Sequence, residues 1–379
     1  MHIEQAKWTA AAGWDPKPPG ALSSAADLVL VFGSTGLLHE PHHVDHLRNV
    51  YPNAHVFGCS TAGEICGVQV TDESLVVTAI QFQHTTLKGA RMRIDNASNS
   101  FHVGEHLAKQ LDGEGLVHVL VLSDGLKING SELVKGLAAH LPKGVSITGG
   151  LSGDGERFSR TLVLWDGPAE PDTVAILGLY GNRLRVGYGS LGGWDPFGPE
   201  RLITRSSGNV LYELDGRSAL ELYRQYLGEH AEGLPATGLL FPLSLRTKQG
   251  ESAVVRTILS IDEQEHSLTF AGDIPQGAYA RLMKANFDRL IDGSVGAAKT
   301  SFGALGSAPA ELALLISCVG RKLVLKQRIE EEVEGVRDVM GDHTVLTGFY
   351  SYGEISPFTP SARCELHNQT MTITTFSER

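Results

Sequence analysis

Consecutive apolar residues, rather than alternating ones, mark the first strands of this chain. Leu28 to Phe32 (Leu-Val-Leu-Val-Phe) is such a run, the pattern of a strand buried on both faces. It ends at Gly33-Ser34-Thr35-Gly36, and a helix is predicted from near Pro41, whose ring suits a first helical turn. A second strand, Ala54 to Phe57, delivers a polar loop, Gly58-Cys59-Ser60-Thr61-Ala62-Gly63-Glu64-Ile65. Leu75 to Phe82 and Leu87 to Ile94 read as an antiparallel pair, and Phe101 to Leu111 as a helix.

The plan then recurs. Val117 to Leu122 is a buried strand, Ser123-Asp124-Gly125 its polar exit, and Ser131 to Leu141 a helix. Val145 to Thr148 leads into Gly149-Gly150-Leu151-Ser152-Gly153-Asp154-Gly155, and strands follow at Thr161 to Trp165, Thr173 to Tyr180 and Arg183 to Tyr188. A third version runs from Leu312 to Ser317 through a helix around Arg321 to Met340 to Val345. Its exit loop, Gly348-Phe349-Tyr350-Ser351-Tyr352-Gly353-Glu354-Ile355, closes on the same Gly-Glu-Ile as the first, and Thr370 to Phe376 is the last strand. A strand–helix–strand unit used three times, with antiparallel strands between, predicts a mixed α/β (α+β) fold.

The middle breaks this rhythm. Gly193 to Pro199 is dense in turn formers, Val210 to Leu214 reads as a strand, and Ser218 to Leu227 has helical spacing ending at Gly228. Strands are predicted at Ala253 to Ile261 and Ser267 to Phe270, with a polar loop from Gly272 to Gly277. Length allows about two domains. The expected division is an N-terminal segment 1–27, a domain 28–219 and a domain 220–379.

Charge narrows the partners. A net charge of -11 repels phosphate backbones and anionic membrane surfaces, so no nucleic acid and no membrane is expected. No window approaches the ~18 apolar residues of a membrane span. The first 27 residues lack a basic stretch followed by an apolar one, so no export signal is read. Cys59, Cys66, Cys318 and Cys364 form no Cys-x-x-Cys pair and read as reduced thiols of a cytoplasmic protein.

The two Gly-Glu-Ile loops point to a shared pocket for a small ligand. Glu64 and Glu354 either face that pocket or satisfy backbone N–H groups at a turn. Tyr350 and Tyr352, two apart on an extended segment, are expected to share a face. A hydrolase or transferase acting through Cys59 or Ser60 is the weaker alternative, because Gly58 to Gly63 holds one residue too many for Gly-x-Ser-x-Gly and spacing implies no His/Asp partner. A lone cysteine at a strand end is commonly a small buried hydrophobe. Histidine pairs His42/His46 and His102/His106 have i, i+4 spacing that chelates metal on a helix face, against which stands the plainer reading of a solvated face.

Seven stretches together resemble the FIST family (F-box and intracellular signal transduction). They are Gly58 to Ile65, Gly208 to Gly216, Tyr223 to Gly228, Val255 to Ile258, Gly272 to Pro275 with Gly277, Tyr352 to Ile355, and Leu366 to Met371. They fall in family order over nearly the whole chain. The resemblance implies N- and C-terminal FIST regions and a non-enzymatic sensory module that binds a small ligand, amino acids being one proposal. It brings no catalytic residues. The ligand-binding residues then expected are Ser60, Thr61, Gly63, Glu64, Tyr350, Ser351, Tyr352, Gly353, Glu354 and Asn368. Relatives fuse the module to kinase or other output domains. Arg379 ends this chain without one, so output is expected to pass to a separate signalling protein.

Gly189 to Arg201 is also similar to stand-alone bacterial members that bind haem, sense nitric oxide and regulate a histidine kinase. That resemblance implies haem b held by one axial ligand, with His230 and His367 the better-placed candidates and a structural role the alternative for each. If Tyr188 occupies the place where relatives carry histidine, haem ligation here is in doubt. A sensor of amino acids or another small polar metabolite is the alternative ligand reading.

Overall fold

The three apolar runs become the central strands of three separate sheets: Leu28–Gly33, Leu116–Ser123 and Leu312–Cys318. The protein is described by a computed structural model over residues 1–94, 99–246, 254–358 and 362–378. Each central strand has a parallel neighbour, the exit strand, reached through helix: His55–Ser60, Ser146–Leu151 and Val345–Ser351. On its other side lies an antiparallel return strand: Ser74–Gln81, Thr173–Tyr180 and Met371–Glu378. A fourth strand completes each row: His2–Thr9, Thr86–Arg93 and Leu184–Leu191. The mixed α/β class and the threefold use of one strand–helix–strand unit are therefore both present.

Gly58, Gly149 and Gly348 stand at the same step of their exit strands. A Cβ on any of them would lie 1.9, 1.9 or 1.8 Å from the carbonyl oxygen of Val31, Val121 or Leu315 on the central strand. The loop glycines of the sequence are thus a requirement of close backbone approach.

Alternate residues of the central strands turn inward and meet. Leu30 and Phe32, Leu120 and Leu122, and Leu314 and Ile316 share one buried cluster with Leu177 and Phe349. Phe32 and Phe349 stack across it at 4.8 Å. The opposite faces are covered by the helices Pro41–Val50, Gly130–His140 and Ile329–Met340. A strand buried on both faces reads as a continuous apolar run, and burying each Leu or Phe is worth roughly 1.5–3 kcal/mol.

Several expectations need correction. Ser74–Gln81 and Thr86–Arg93 do not pair with each other: the first already has a neighbour on each edge, and the chain crosses to the second sheet. The Glu378 carboxylate holds that crossing, accepting from the backbone N–H of Gln83 (2.5 Å) and His84 (2.6 Å) and from the Thr85 hydroxyl (2.8 Å). The third-unit helix is two helices, Val319–Leu325 and Ile329–Met340, broken where Lys326 takes a left-handed φ of 50°. Tyr350 and Tyr352 do not share a face, because the chain turns between them: the Tyr350 hydroxyl donates to Glu332 (2.7 Å) and that of Tyr352 to Asp154.

Between Leu191 and the helix Phe287–Ala304 the chain builds a further antiparallel sheet, with its own cluster around Ile203, Leu220, Tyr223, Leu268 and Phe270. Its helix, Ala219–Leu227, is capped by Ser218, which accepts from Glu221 N–H, and stops at Gly228 with φ of 57°. In place of one strand from Ala253 to Ile261 there are two, Val254–Arg256 and Ile258–Asp262, and Ala253 lies outside the described residues. The expected boundary near residue 220 falls inside this sheet. Leu184–Leu191, from before it, pairs with Met371–Glu378 from the far end of the chain.

Candidate functional site

Beyond its last residue, each exit strand hands a segment to the next sheet. Glu64–Cys66 pairs with the third unit's exit strand, Gly353–Pro357 with the second unit's, and Val163–Trp165 with the first unit's. Three backbone hydrogen bonds close the ring: Ala62 N–H to Tyr350 O (2.8 Å), Tyr352 N–H to Leu151 O (3.2 Å) and Gly153 N–H to Ser60 O (2.9 Å). The loops singled out in the sequence meet here, where the three units exchange strands, with their backbone polar groups paired as burial demands.

Every side chain expected to bind ligand is buried at or beside this junction. Ser60 Oγ donates to Gly153 O (2.8 Å) and accepts from Leu162 N–H (2.8 Å). Glu64 and Glu354 are counterparts. Glu64 accepts from the Thr61 hydroxyl and from the N–H (3.2 Å) and hydroxyl (2.6 Å) of Ser74. Glu354 accepts from the Ser351 hydroxyl (2.6 Å) and from the N–H (3.1 Å) and hydroxyl (2.9 Å) of Thr370. Burial pushes the two carboxyls up, to about 7 and about 8, against the downward pull of these donors. Asn368 accepts from Thr257 N–H (3.3 Å) and donates to Tyr352 O (3.1 Å). These groups hold the junction shut.

The open space lies on its rim. A cleft of about 510 Å3 has walls from all three units: Ala62 and Asp72 from the first, Glu156 and Arg157 from the second, Lys322 and Lys326 from the third. Lys322 sits on the short helix that follows the third central strand. Its ammonium donates to Ala62 O (2.8 Å) and pairs with Asp72. An ammonium has three donors, so among the described residues one remains unmatched. Gly63 makes room for it: φ there is 139°, and a Cβ would lie 2.6 Å from Lys322 Nζ. Sequence reading named Gly63 and missed Lys322, whose only local signal was a cation in the first turns after a strand exit.

Other candidates scatter. The Cys59 thiol is fully enclosed, and burial pushes it well above its usual range, which suppresses a thiolate nucleophile. Near His42 and His46 it is Glu40, His42 and His43 that bring ligand atoms within 4.8 Å of one another, at an exposed helix start. His43 also packs on the Trp8 ring.

Haem needs an axial ligand facing a large slot. His230 is exposed on a 3-10 turn. His367 is enclosed, donating from Nε2 to Ser356 O (2.7 Å), and Nδ1 has no partner among the described residues. Neither lines the cleft or the cavities of about 580 and 680 Å3 elsewhere. Tyr188 does line the 680 Å3 cavity, but burial and then Cys364 push its phenol up, away from the phenolate that iron would require. None of these three side chains therefore offers a ready axial ligand to haem.

The FIST N domain profile matches residues 27–217 and the FIST C domain profile residues 219–357. Their boundary lies between the strand Arg217–Ser218 and the helix Ala219–Leu227. An uncharacterized protein of Methanocaldococcus jannaschii is 23% identical over 321 residues, covering 76% of this chain and 59% of the relative. The chain thus spans little more than half of that relative's length. A cyanuric acid hydrolase from A. caulinodans superposes over 100% of this chain and 99% of its own at TM-score 0.40 and 8% identity, a likeness too slight to bear on function. No described helix is long and apolar enough to cross a membrane. The chain belongs to the FIST family, whose domains are associated with signal transduction and the sensing of small ligands.

Proposed function

We propose that this chain is a sensory receptor whose ligand is a small zwitterionic metabolite, an amino acid being the simplest case, bound in the Lys322 cleft. One observation carries the reading. Lys322 belongs to the third unit, is held by a first-unit carbonyl, and shares the cleft with second-unit residues. A ligand there touches all three units at once. The cleft walls carry three cations (Lys322, Lys326, Arg157) and three carboxylates (Asp72, Glu73, Glu156), with Arg157 and Glu73 paired at 3.6 Å. Balanced charge gives a simple anion or cation no advantage, whereas a zwitterion finds both partners. The spare Lys322 donor meets the ligand carboxylate, and Asp72 its ammonium. Occupancy favours the arrangement of units that closes the cleft, and a separate signalling partner, a histidine kinase by family resemblance, reads that arrangement.

The test is a thermal-shift screen of the amino acids at millimolar concentration, on the wild type and Lys322→Gln. A small set should raise the melting temperature of the wild type only, while the unliganded variant, which loses a part-buried ion pair and a hydrogen bond worth about 1 kcal/mol, melts about 2–4 °C lower. If no amino acid shifts the wild type, the reading fails.

A further inference from the structure

Arg256 is a buried cation that no carboxylate among the described residues touches, although Glu365 and Asp273 lie near enough to act on it at a distance. It ends the strand Val254–Arg256 of the inserted sheet and enters the seam between that sheet and the threefold body. Nε donates to Asp273 O (3.2 Å), Nη1 to Val255 O (3.3 Å) and Leu366 O (2.9 Å), and Nη2 to Ser131 Oγ (3.4 Å). All four acceptors are neutral, and no carboxylate among the described residues forms an ion pair with it. A guanidinium has five N–H donors, so one on Nη2 is left over. Such burial is strongly unfavourable unless a counter-charge arrives.

The seam has room for one. A cavity of about 580 Å3 is lined by Arg256 together with Ser131, Lys135, Asp273 and Glu365. Gly272 lets the chain pass close by: a Cβ there would lie 2.6 Å from Ser131 Oγ and 3.0 Å from Arg256 Nε. Lys135 is half-exposed and bonded to both Asp273 and Glu132 (2.6 Å each), so Asp273 already has a cationic partner. Asn129 takes the other Asp273 oxygen (2.7 Å). Arg256 is what remains. Three of the motifs that carry the family resemblance, at 255–258, 272–275 and 366–371, converge on this seam, and the Lys322 cleft uses none of them.

We propose that the seam is a second binding site, for a small anion bearing a carboxylate or a phosphate, held by Arg256 from the inserted sheet and by Ser131 and Lys135 from the body. Carboxylate and phosphate both match the planar guanidinium fork. A bound anion would tie the inserted sheet to the body. The competing view is that Arg256 is only a strut between the two.

The test is a thermal-shift titration of the full chain with inorganic phosphate and, separately, succinate, at ionic strength fixed with chloride. Saturable stabilisation by either one supports the site and identifies its chemistry. Lys135→Gln should weaken that binding about tenfold or more, as loss of one charge-assisted contact does. Glu365→Gln, which removes a like charge from the wall, should tighten it, and Lys322→Gln should leave it unchanged. Arg256→Lys should abolish it. If that variant does not fold, the two surface variants decide the matter alone. The proposal is overturned if neither anion stabilises the wild type beyond chloride, or if the effect is the same in Lys135→Gln and Glu365→Gln as in the wild type.

Discussion

Lys322 and Gly63 come from opposite ends of the chain, and the ammonium of one rests where the β-carbon of the other would be, at 2.6 Å. Gly63→Ala should therefore act twice. The left-handed φ of 139° costs about 1–3 kcal/mol for a residue with a side chain, visible in urea unfolding. The displaced ammonium should also cut ligand affinity at least about tenfold in a direct titration. Loss of stability with intact affinity would separate Gly63 from the site.

Arg321 and Glu332 form an ion pair at 2.6 Å with both side chains fully buried, and Glu332 also accepts from Ser294 (3.1 Å), Ser317 (3.2 Å) and Tyr350 (2.7 Å). Arg321→Met leaves that carboxylate unpaired and should cost about 3–5 kcal/mol in urea unfolding. The double variant Arg321→Met/Glu332→Leu should recover much of the loss. A single variant costing under about 1 kcal/mol would contradict the burial of this pair.

Glu64 and Glu354 make stability depend on pH. Burial raises both in the folded chain, to about 7 and about 8, above the carboxyl range of the unfolded chain near 4.3. The folded state therefore binds more protons between those limits. Their contribution is fully present below pH ~4.3 and is lost as pH rises through about 7 and then about 8. Chemical denaturation from pH 5 to 8.5 should show this decline, and Glu64→Gln/Glu354→Gln should flatten it. An unchanged slope in the double variant would assign the pH dependence elsewhere.

The repeated unit was legible because a strand buried on both faces writes itself as an unbroken apolar run, and because Gly58, Gly149 and Gly348 are fixed by backbone contact. The exchange of strands among sheets was not. Ser74–Gln81 and Thr86–Arg93 look like a hairpin along the sequence, and only the occupied edges of the first sheet send them apart. Glu64 and Glu354 stood out, yet nothing local says whether a carboxylate faces a cleft or a serine hydroxyl. Lys322 was invisible for a related reason: its role is set by Gly63 and Asp72, about 250 residues away.

Haem mixed with the purified protein should acquire no absorbance that depends on His230 or His367, since one ring is exposed and the other enclosed away from the large cavities. Visible spectra of His230→Ala and His367→Ala, reduced and then exposed to nitric oxide, check this against the wild type. Loss of a stoichiometric Soret band in either variant would restore that histidine as an axial ligand.

Hydrogen–deuterium exchange with and without the amino acid that most raises the melting temperature tests the receptor reading most directly. The Lys322 cleft predicts simultaneous protection of residues 62–73, 155–157 and 319–329, one segment from each unit, and its loss in Lys322→Gln. Protection confined to one unit, or placed elsewhere in the chain, would contradict a ligand seated where the three units meet.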